Sequence, residues 1–263
     1  MYGVTDFARI RAENGYFVDR TALIRELEKT SYTMFLRPRR FGKSLLCSIL
    51  QCYYDIDYAG RFEEFFGGLD IGREPTAERG KYLFIDFNFT GVEKRIDRVQ
   101  DSFNEYCSER LDVFVERQAG RLPEGTTAAV LAKRTCHEKF NTLTMRLKGS
   151  GLALYITIDE YDNFTNTILA ESRESYEALC HGDGFFKQFF NELKLATTGT
   201  DAPVTRLFVT GVTPVTMDDV TSGFNIAANV SLNPAFAALT GFTHGDVRAM
   251  LAYYRAHAGF AFD

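Results

Sequence analysis

The chain has 263 residues, of which 45% are hydrophobic, 25% are charged and 14% are aromatic. This composition excludes a disordered segment, a coiled coil and a collagen-like chain, and the length is sufficient for one substantial hydrophobic core. Lys and Arg number 30 against 35 Asp and Glu, so the net charge is −5 and the chain as a whole lacks the positive charge that is typical of nucleic-acid-binding proteins.

Cysteine usage and targeting signals bear on location. The five cysteines are scattered and form no Cys-x-x-Cys pair, which is typical of reduced thiols in an intracellular protein and argues against a zinc site. Residues 1–11 lack the apolar stretch of a signal peptide, and no run approaches the ~18 apolar residues of a membrane span. We therefore expect a soluble, cytoplasmic protein with no membrane association.

Along the chain, the hydrophobic pattern predicts strands that alternate with helices. The predicted strands are 32–36, 82–87, 152–158, 206–210 and 229–232. The predicted helices are 21–29, 43–54, 97–118, 128–147 and 184–196. The third strand is almost continuously apolar, as in a strand covered on both faces. The pattern therefore predicts an α/β fold with a mostly parallel sheet of about five strands between layers of helices.

The most informative stretch joins the first strand to the helix that follows it. It reads Arg37-Pro38-Arg39-Arg40-Phe41-Gly42-Lys43-Ser44-Leu45. A Gly-Lys-Ser sequence at the start of a helix directs backbone N–H groups and the positive helix end toward one point, which suits a phosphate. Lys43 would reach the outer phosphates, Ser44 would ligate Mg²⁺, and Gly42 would let the backbone approach the phosphates closely.

Two features of this stretch leave alternatives open. The usual phosphate-binding pattern has a glycine where this chain has Arg37, so a helix that merely begins with Gly-Lys-Ser is the alternative. Arg37, Arg39, Arg40 and Lys43 also place four positive charges within seven residues. These charges could clamp a nucleotide, dock nucleic acid or simply face solvent. We favour the nucleotide clamp because the charges flank the predicted phosphate site.

Polar residues also follow the third and fourth predicted strands. Asp159 would order the shell of a bound Mg²⁺, and Glu160 would polarise the attacking water. The alternative is a strand end with solvated acids, of which Asp162 would be a third. Thr210 is the candidate for sensing a γ-phosphate, with Thr213 in reserve, although a small polar residue before a glycine turn is an equally good interpretation.

Five segments together resemble the AAA-ATPase-like family of bacterial and archaeal proteins, which are often fused to a restriction-endonuclease-like domain. The segments are 16–21, 36–45, 158–162, 210–213 and 239–243. Members of this family share the arginine in place of the first glycine. The resemblance implies a three-layer P-loop NTPase of the additional-strand, AAA-like type, with ATP as the nucleotide and Mg²⁺ as the metal. It also implies that residues 16–21 lie near the adenine.

The resemblance sets the expected organisation and activity. We expect an ATPase domain over 1–235 and the start of a C-terminal helical or winged-helix lid over 236–263, where the sequence ends without a nuclease-like domain or a recognisable lid arginine. The expected catalytic residues are Lys43, Glu160 and Thr210, the metal ligands are Ser44 and Asp159, and the nucleotide lies along 37–45.

The expected function is Mg²⁺-dependent ATP hydrolysis that is coupled to an attached effector or a partner protein, for which a nuclease-like domain is one candidate. One alternative is a nucleotide-binding switch with little turnover. Another is a nucleic-acid-associated regulator that uses the positive charges of 37–40, although the net charge does not support it. The sequence does not select an oligomeric state.

Overall fold

The computed structural model describes residues 5–216 and 226–258, so the ends of the two predicted domains, 1–4 and 259–263, lie outside the described residues. Within the described residues, five strands form one parallel sheet in the order β2-β3-β4-β1-β5. The strands are β1 (Tyr32–Leu36), β2 (Leu83–Asn88), β3 (Leu154–Asp159), β4 (Val204–Gly211) and β5 (Ala228–Asn229). The predicted parallel α/β fold is confirmed.

Helices precede, connect and follow the strands. In chain order they are α1 (Phe7–Ala12), α2 (Ile24–Leu27), α3 (Lys43–Tyr54), α4 (Phe62–Phe66), α5 (Asp70–Arg73), α6 (Val99–Arg117), α7 (Thr126–Leu131), α8 (Cys136–Leu147), α9 (Asn163–Glu171), α10 (Arg173–Cys180), α11 (Phe185–Ala196) and α12 (His244–Ala258). Short 3₁₀ turns lie at Thr21–Leu23, Ile56–Arg61, Phe89–Gly91 and Pro234–Phe236. Within the described residues, no helix is both long and apolar enough to cross a membrane.

The predicted helix 128–147 is wrong as a single element, because the chain forms α7 and α8 instead. The side chain of Thr135 accepts a hydrogen bond from the backbone N–H of Glu138, and the carboxylate of Glu138 accepts one from the N–H of Thr135. This reciprocal capping box starts a new helix at Cys136. The predicted strand at 229–232 is also shorter than expected, since β5 covers Ala228–Asn229.

The sheet buries apolar side chains on both faces, because successive side chains of a strand point in opposite directions. Met34 and Leu36 of β1 enter a core on one face that also contains the phenylalanines of α6 and α11. Phe35, between them, enters the core on the other face, which contains the apolar side of α3. Phe236 and Leu239 are buried in this second core, so residues after β5 pack against the same body.

The strand order determines where the predicted site residues meet. In a parallel sheet all carboxyl ends lie along one edge, and ligands of such folds bind outside that edge. Here β4 lies between β1 and β3. The turn after β1, the acids after β3 and the threonine at the end of β4 therefore lie along the same edge.

Candidate functional site

The turn between β1 and α3, residues 37–42, is called the phosphate turn below. Two of its residues have left-handed backbone conformations, with φ of +68° at Arg40 and +86° at Gly42. Gly42 is the residue that precedes the first turn of α3. A Cβ atom on Gly42 would meet nothing within 4 Å, so the positive φ, rather than a clash within the protein, is what favours glycine here. The space beside Gly42 is open.

Lys43 and Glu160 are brought together at this edge of the sheet. The Nζ atom of Lys43 lies 3.3 Å from Oε1 of Glu160 and donates a hydrogen bond of 3.3 Å to the carbonyl oxygen of Pro38. The side chain of Lys43 is only 3% exposed, whereas that of Glu160 is 20% exposed. Glu160 itself has a φ of +52°, which is uncommon for a residue other than glycine. A buried ammonium group therefore bridges the phosphate turn and the end of β3.

Asp159 and Ser44, the predicted metal ligands, are also neighbours. Asp159 is 1% exposed, and its carboxylate accepts hydrogen bonds from the hydroxyl of Ser44, from the N–H of Glu160 at 2.9 Å and from Nδ2 of Asn88 at 3.2 Å. Burial raises the pKa of Asp159 to about 6, and the hydrogen bond from Ser44 opposes this rise. The carboxylates of Glu160 and Asp86 raise the pKa further. The alternative of solvated acids is therefore excluded for Asp159.

The donor atoms at this point suit a hard cation. A hydroxyl and a carboxylate that already share a hydrogen bond are close enough to bind one ion, and Mg²⁺ prefers such oxygen ligands. No group of three His, Cys, Asp or Glu side chains within 5–216 and 226–258 is arranged to hold a metal. Mg²⁺ commonly binds proteins through one or two oxygen ligands and takes its others from substrate phosphates and water.

Two polar residues of β2 also lie in this region, although they are not among the site residues predicted from the sequence. Asn88 lies opposite Asp159 in the register of β2 and β3, and Asp86 accepts a hydrogen bond of 2.6 Å from the hydroxyl of Thr157. Both line a cleft of about 190 Å³ beside Asp159 and Ser44. Burial raises the pKa of Asp86. The alternation of polar and apolar residues at the end of β2 is the signal that could have identified them.

Thr210 lies at the end of β4, and its hydroxyl is engaged within the sheet. The residue is fully buried and donates a hydrogen bond of 2.6 Å to the carbonyl oxygen of Phe35 on β1. Its own carbonyl accepts a hydrogen bond from the N–H of Tyr161. The predicted role of Thr210 in sensing phosphate stays a prediction, and in this conformation the hydroxyl holds β4 against β1.

Asp162 is fully buried and is not the solvated acid of the alternative interpretation. Its carboxylate accepts hydrogen bonds from the N–H groups of Val212 and Thr213 at 3.1 and 2.7 Å, and from the hydroxyl of Thr213 at 3.1 Å. A Cβ atom on Gly211 would lie 2.4 Å from Oδ1 of Asp162 and 2.5 Å from the ring of Tyr161. Glycine is therefore required where the loops after β3 and β4 meet.

The positive charges of the phosphate turn do not all face the same way. Arg37 donates hydrogen bonds to the carbonyl oxygens of Leu36, Ser231 and Phe236 at 2.9, 2.7 and 3.3 Å, and its guanidinium lies 4.3 Å from the centre of the Phe35 ring. Arg39 and Arg40 are exposed. Of the predicted clamp, only Arg39 and Arg40 are thus turned to solvent, and Lys43 is buried.

The segment 16–21, which the resemblance places near adenine, contacts α12. Arg20 forms an ion pair of 2.5 Å with Asp246, and the ring of Tyr16 lies 5.1 Å from that of Tyr253. Asp246 also accepts hydrogen bonds from the N–H and hydroxyl of Thr243, which fixes the start of α12. The position of the segment relative to adenine stays a prediction.

A parallel sheet covered on both faces, with a Gly-Lys-Ser turn after one strand and a buried carboxylate at the end of another, defines a P-loop-like α/β protein. A family model described as "Predicted AAA-ATPase" matches residues 1–221. The chain belongs to this AAA-ATPase-like family, as the resemblance predicts.

Other comparisons are less informative about function. The chain is similar to an "Uncharacterized protein in vnfD 5'region" of Azotobacter chroococcum mcd 1, with 26% identity over 259 residues. The match covers 95% of this chain and 44% of that protein, so the chain spans less than half the length of this curated relative. No solved structure matches.

Proposed function

We propose that the chain binds ATP with Mg²⁺ and hydrolyses it. The observation that carries this proposal is the contact of Lys43 with Glu160, beside a hydrogen-bonded Ser44 and Asp159, at the open edge of the sheet. Each of the four side chains has the chemistry that its role needs, and membership of a family of predicted ATPases supports the same activity.

The contacts of Lys43 suggest how nucleotide binding would prepare the site. In the structure its ammonium group is shared between the carbonyl of Pro38 and the carboxylate of Glu160. Phosphate oxygens that enter beside Gly42 would compete for this cation, because they carry more charge than a single carboxylate. Glu160 would then be free to accept a hydrogen bond from the attacking water and to orient it.

The metal has a defined place in the proposal. Ser44 and Asp159 would hold Mg²⁺, which when bound neutralises charge on the transferred phosphoryl group. Arg39 and Arg40 are exposed on the same turn and would contribute positive charge to the outer phosphates. Asn88 would orient Asp159 through its hydrogen bond.

The strand order supports a finer assignment within the P-loop proteins. We propose that the fold is of the additional-strand, AAA-like type, because β4 separates β1 from β3 and brings Thr210 between the phosphate turn and Glu160. We also propose that an ATPase domain covers 1–235 and that a lid begins within 236–263. The relative that is more than twice as long suggests that hydrolysis serves an attached effector or a partner.

Steady-state release of phosphate tests hydrolysis. Glu160→Gln should reduce the rate by about a hundredfold, because general-base assistance is worth at least that factor. Glu171→Gln is the matched control, since Glu171 is exposed at the end of α9. If the wild type and Glu160→Gln released phosphate at the same background rate, both with nucleotide bound, hydrolysis by this chain would be excluded.

A nucleotide-binding switch with little turnover is the second candidate. It is favoured by Thr210, whose hydroxyl is donated to Phe35 and so does not position a water in this conformation. Titration calorimetry with ATP and ADP shows whether the chain binds nucleotide, which both functions require. Undiminished nucleotide affinity in Lys43→Ala would contradict both functions. Tight binding of nucleotide by the wild type without phosphate release would support the switch alone.

A further inference from the structure

One segment from a distant part of the chain, residues 229–241, contacts the phosphate turn near both of its ends. At the start of the turn, Leu36 donates its N–H to the hydroxyl of Ser231 at 2.8 Å, and Arg37 donates to the carbonyl oxygens of Ser231 and Phe236. At the tip, the N–H of Gly241 donates to the carbonyl of Phe41 at 3.1 Å. The segment 229–241 therefore follows the turn along its length.

Arg37 is the main polar link in this arrangement. Its planar guanidinium reaches two carbonyl oxygens that are five residues apart in the segment, and its flat face lies over Phe35. An arginine can make these contacts together because its donors are fixed in a fork, whereas a lysine has one ammonium group on a flexible stem. The guanidinium is thus committed to the protein rather than to the open space beside Gly42.

The segment 229–241 has few other polar contacts with the sheet. Its strand is at the edge and only two residues long, and one further hydrogen bond joins the N–H of Val230 to the carbonyl of Met34. Phe236 and Leu239 are buried, but Leu232 is 96% exposed. A short edge strand with exposed neighbours has low local stability, so the loss of one anchoring side chain should be measurable there.

We propose that Arg37 is a positioning residue that fastens the segment 229–241 to the phosphate turn, and that this fastening, rather than contact with phosphate, is its contribution to nucleotide binding. The segment leads directly into α12, so the ordering of the turn and the docking of the C-terminal part are coupled. Such coupling is reciprocal: whatever loosens the segment weakens binding at the turn, and the converse. The second half of the proposal rests on the proposed nucleotide site.

Hydrogen–deuterium exchange of peptides that cover 229–241 tests the fastening in nucleotide-free protein. Arg37→Ala should increase exchange there by about tenfold, since one anchoring interaction is lost. Arg39→Ala is the matched comparison, because Arg39 is exposed on the same turn. It should leave exchange in the segment unchanged while weakening nucleotide binding. Peptides of β4 report whether a variant has kept its fold.

Arg37→Lys distinguishes positioning from a charge effect. We expect it to behave like Arg37→Ala in exchange, and both variants to lose affinity for ATP and ADP by the same factor, on the order of tenfold. Ser231→Ala loosens the segment from its other side, by removing the acceptor of the Leu36 N–H, and should raise exchange in the same peptides. If Arg37→Ala unfolds the protein, the exchange over 229–241 in Arg37→Lys and Ser231→Ala tests the proposal instead.

Two results would overturn the proposal. One is unchanged exchange over 229–241 in Arg37→Ala. The other is wild-type nucleotide affinity in Arg37→Lys beside a loss in Arg37→Ala, which would make Arg37 a phosphate ligand. A failure of the proposed function would give a different result, because the wild type would then bind no nucleotide. The exchange measured in nucleotide-free Arg37→Ala would still show whether Arg37 fastens the segment.

Discussion

Two lysines of this protein are buried beside a carboxylate, and the two pairs are built differently. Lys139 of α8 contacts both oxygens of Asp112 on α6, one of them at 2.5 Å. Lys43 contacts one oxygen of Glu160 at 3.3 Å and shares its charge with the carbonyl of Pro38. The side chains of the two lysines are similarly buried, at 6% and 3% exposure.

Burial of a lysine beside a carboxylate therefore does not by itself identify a functional charge. Lys139 makes short contacts with both carboxylate oxygens of Asp112, and the two helices that carry this pair are held together by the core. Another anion would therefore not bind Lys139 better than Asp112 does. Lys43 has longer contacts at an open edge of the sheet, where a better anionic partner could replace them. The looser pair is the one that we expect to change partners.

The largest expected effects come from replacing each lysine by methionine. Lys43→Met should reduce nucleotide affinity by about a hundredfold, because a charge-assisted contact with phosphate is lost. It should destabilise the protein less than Lys139→Met does, because the contacts of Lys43 with Glu160 and Pro38 are longer, at 3.3 Å. Lys139→Met should do the reverse. It leaves Asp112 without its cation and should lower the free energy of unfolding by about 2 kcal/mol.

Titration calorimetry and urea unfolding of the same two variants measure these effects. The comparison fails if Lys139→Met weakens nucleotide binding as much as Lys43→Met does. It also fails if both substitutions destabilise the protein equally, since the two pairs would then have the same structural role.

A loss of stability comparable to that of Lys139→Met is expected from Gly211→Ala. The added methyl group would lie within 2.5 Å of Asp162 and of the Tyr161 ring, so the loops after β3 and β4 must separate. We expect a loss of about 2 kcal/mol in the free energy of unfolding, which is typical of overpacking. Gly120→Ala is the control, because neither Gly211 nor Gly120 has a positive φ and Gly120 has open space around it. Equal losses in thermal unfolding would mean that the clash at Gly211 is not responsible.

Much of the fold and site follows from patterns that the sequence carries. Continuous apolar strands alternating with helices predict the parallel sheet, and the carboxyl ends of parallel strands necessarily share an edge. This is why Lys43, Ser44, Asp159 and Glu160 could be predicted to meet. The α7–α8 break was also encoded, in the capping box of Thr135 and Glu138, but the apolar pattern runs through it.

The partners of Arg37 could not be predicted. Its guanidinium contacts backbone carbonyls that lie 194 and 199 residues further along the chain, and every residue type has a carbonyl, so no residue pattern marks them. The same holds for Asp162, whose carboxylate accepts from backbone N–H groups of Val212 and Thr213. Contacts to the main chain are specified by the tertiary fold and not by local sequence.

The dependence of stability on pH compares two buried carboxylates, one in the site and one outside it. Burial raises the pKa of both Asp159 and Asp55 to about 6. The folded protein then binds more protons than the unfolded chain between pH 4 and 6, so each group lowers the free energy of unfolding as the pH rises through this window. Asp159→Asn and Asp55→Asn should each remove about 1 to 2 kcal/mol of this loss.

Urea unfolding at pH 4.5 and pH 7.5 measures this dependence. Both variants should gain stability relative to the wild type at the higher pH. Only Asp159→Asn should lose Mg²⁺-dependent nucleotide binding, because Asp55 is next to Arg117 and away from the phosphate turn. An Asp55→Asn variant with impaired binding would remove the distinction between the two acids.

The smallest expected effect returns to the two lysine pairs through their carboxylates. Glu160→Gln removes the charge that competes with phosphate for Lys43, so ATP should bind about fivefold more tightly even as turnover falls. Asp112→Asn makes the same chemical change at Lys139 and should leave ATP affinity unaltered while lowering the free energy of unfolding. Equilibrium titration with ATP measures both. Weaker binding by Glu160→Gln would mean that Glu160 holds Lys43 in place for the nucleotide instead of competing with it, and the looser pair would then be a structural one.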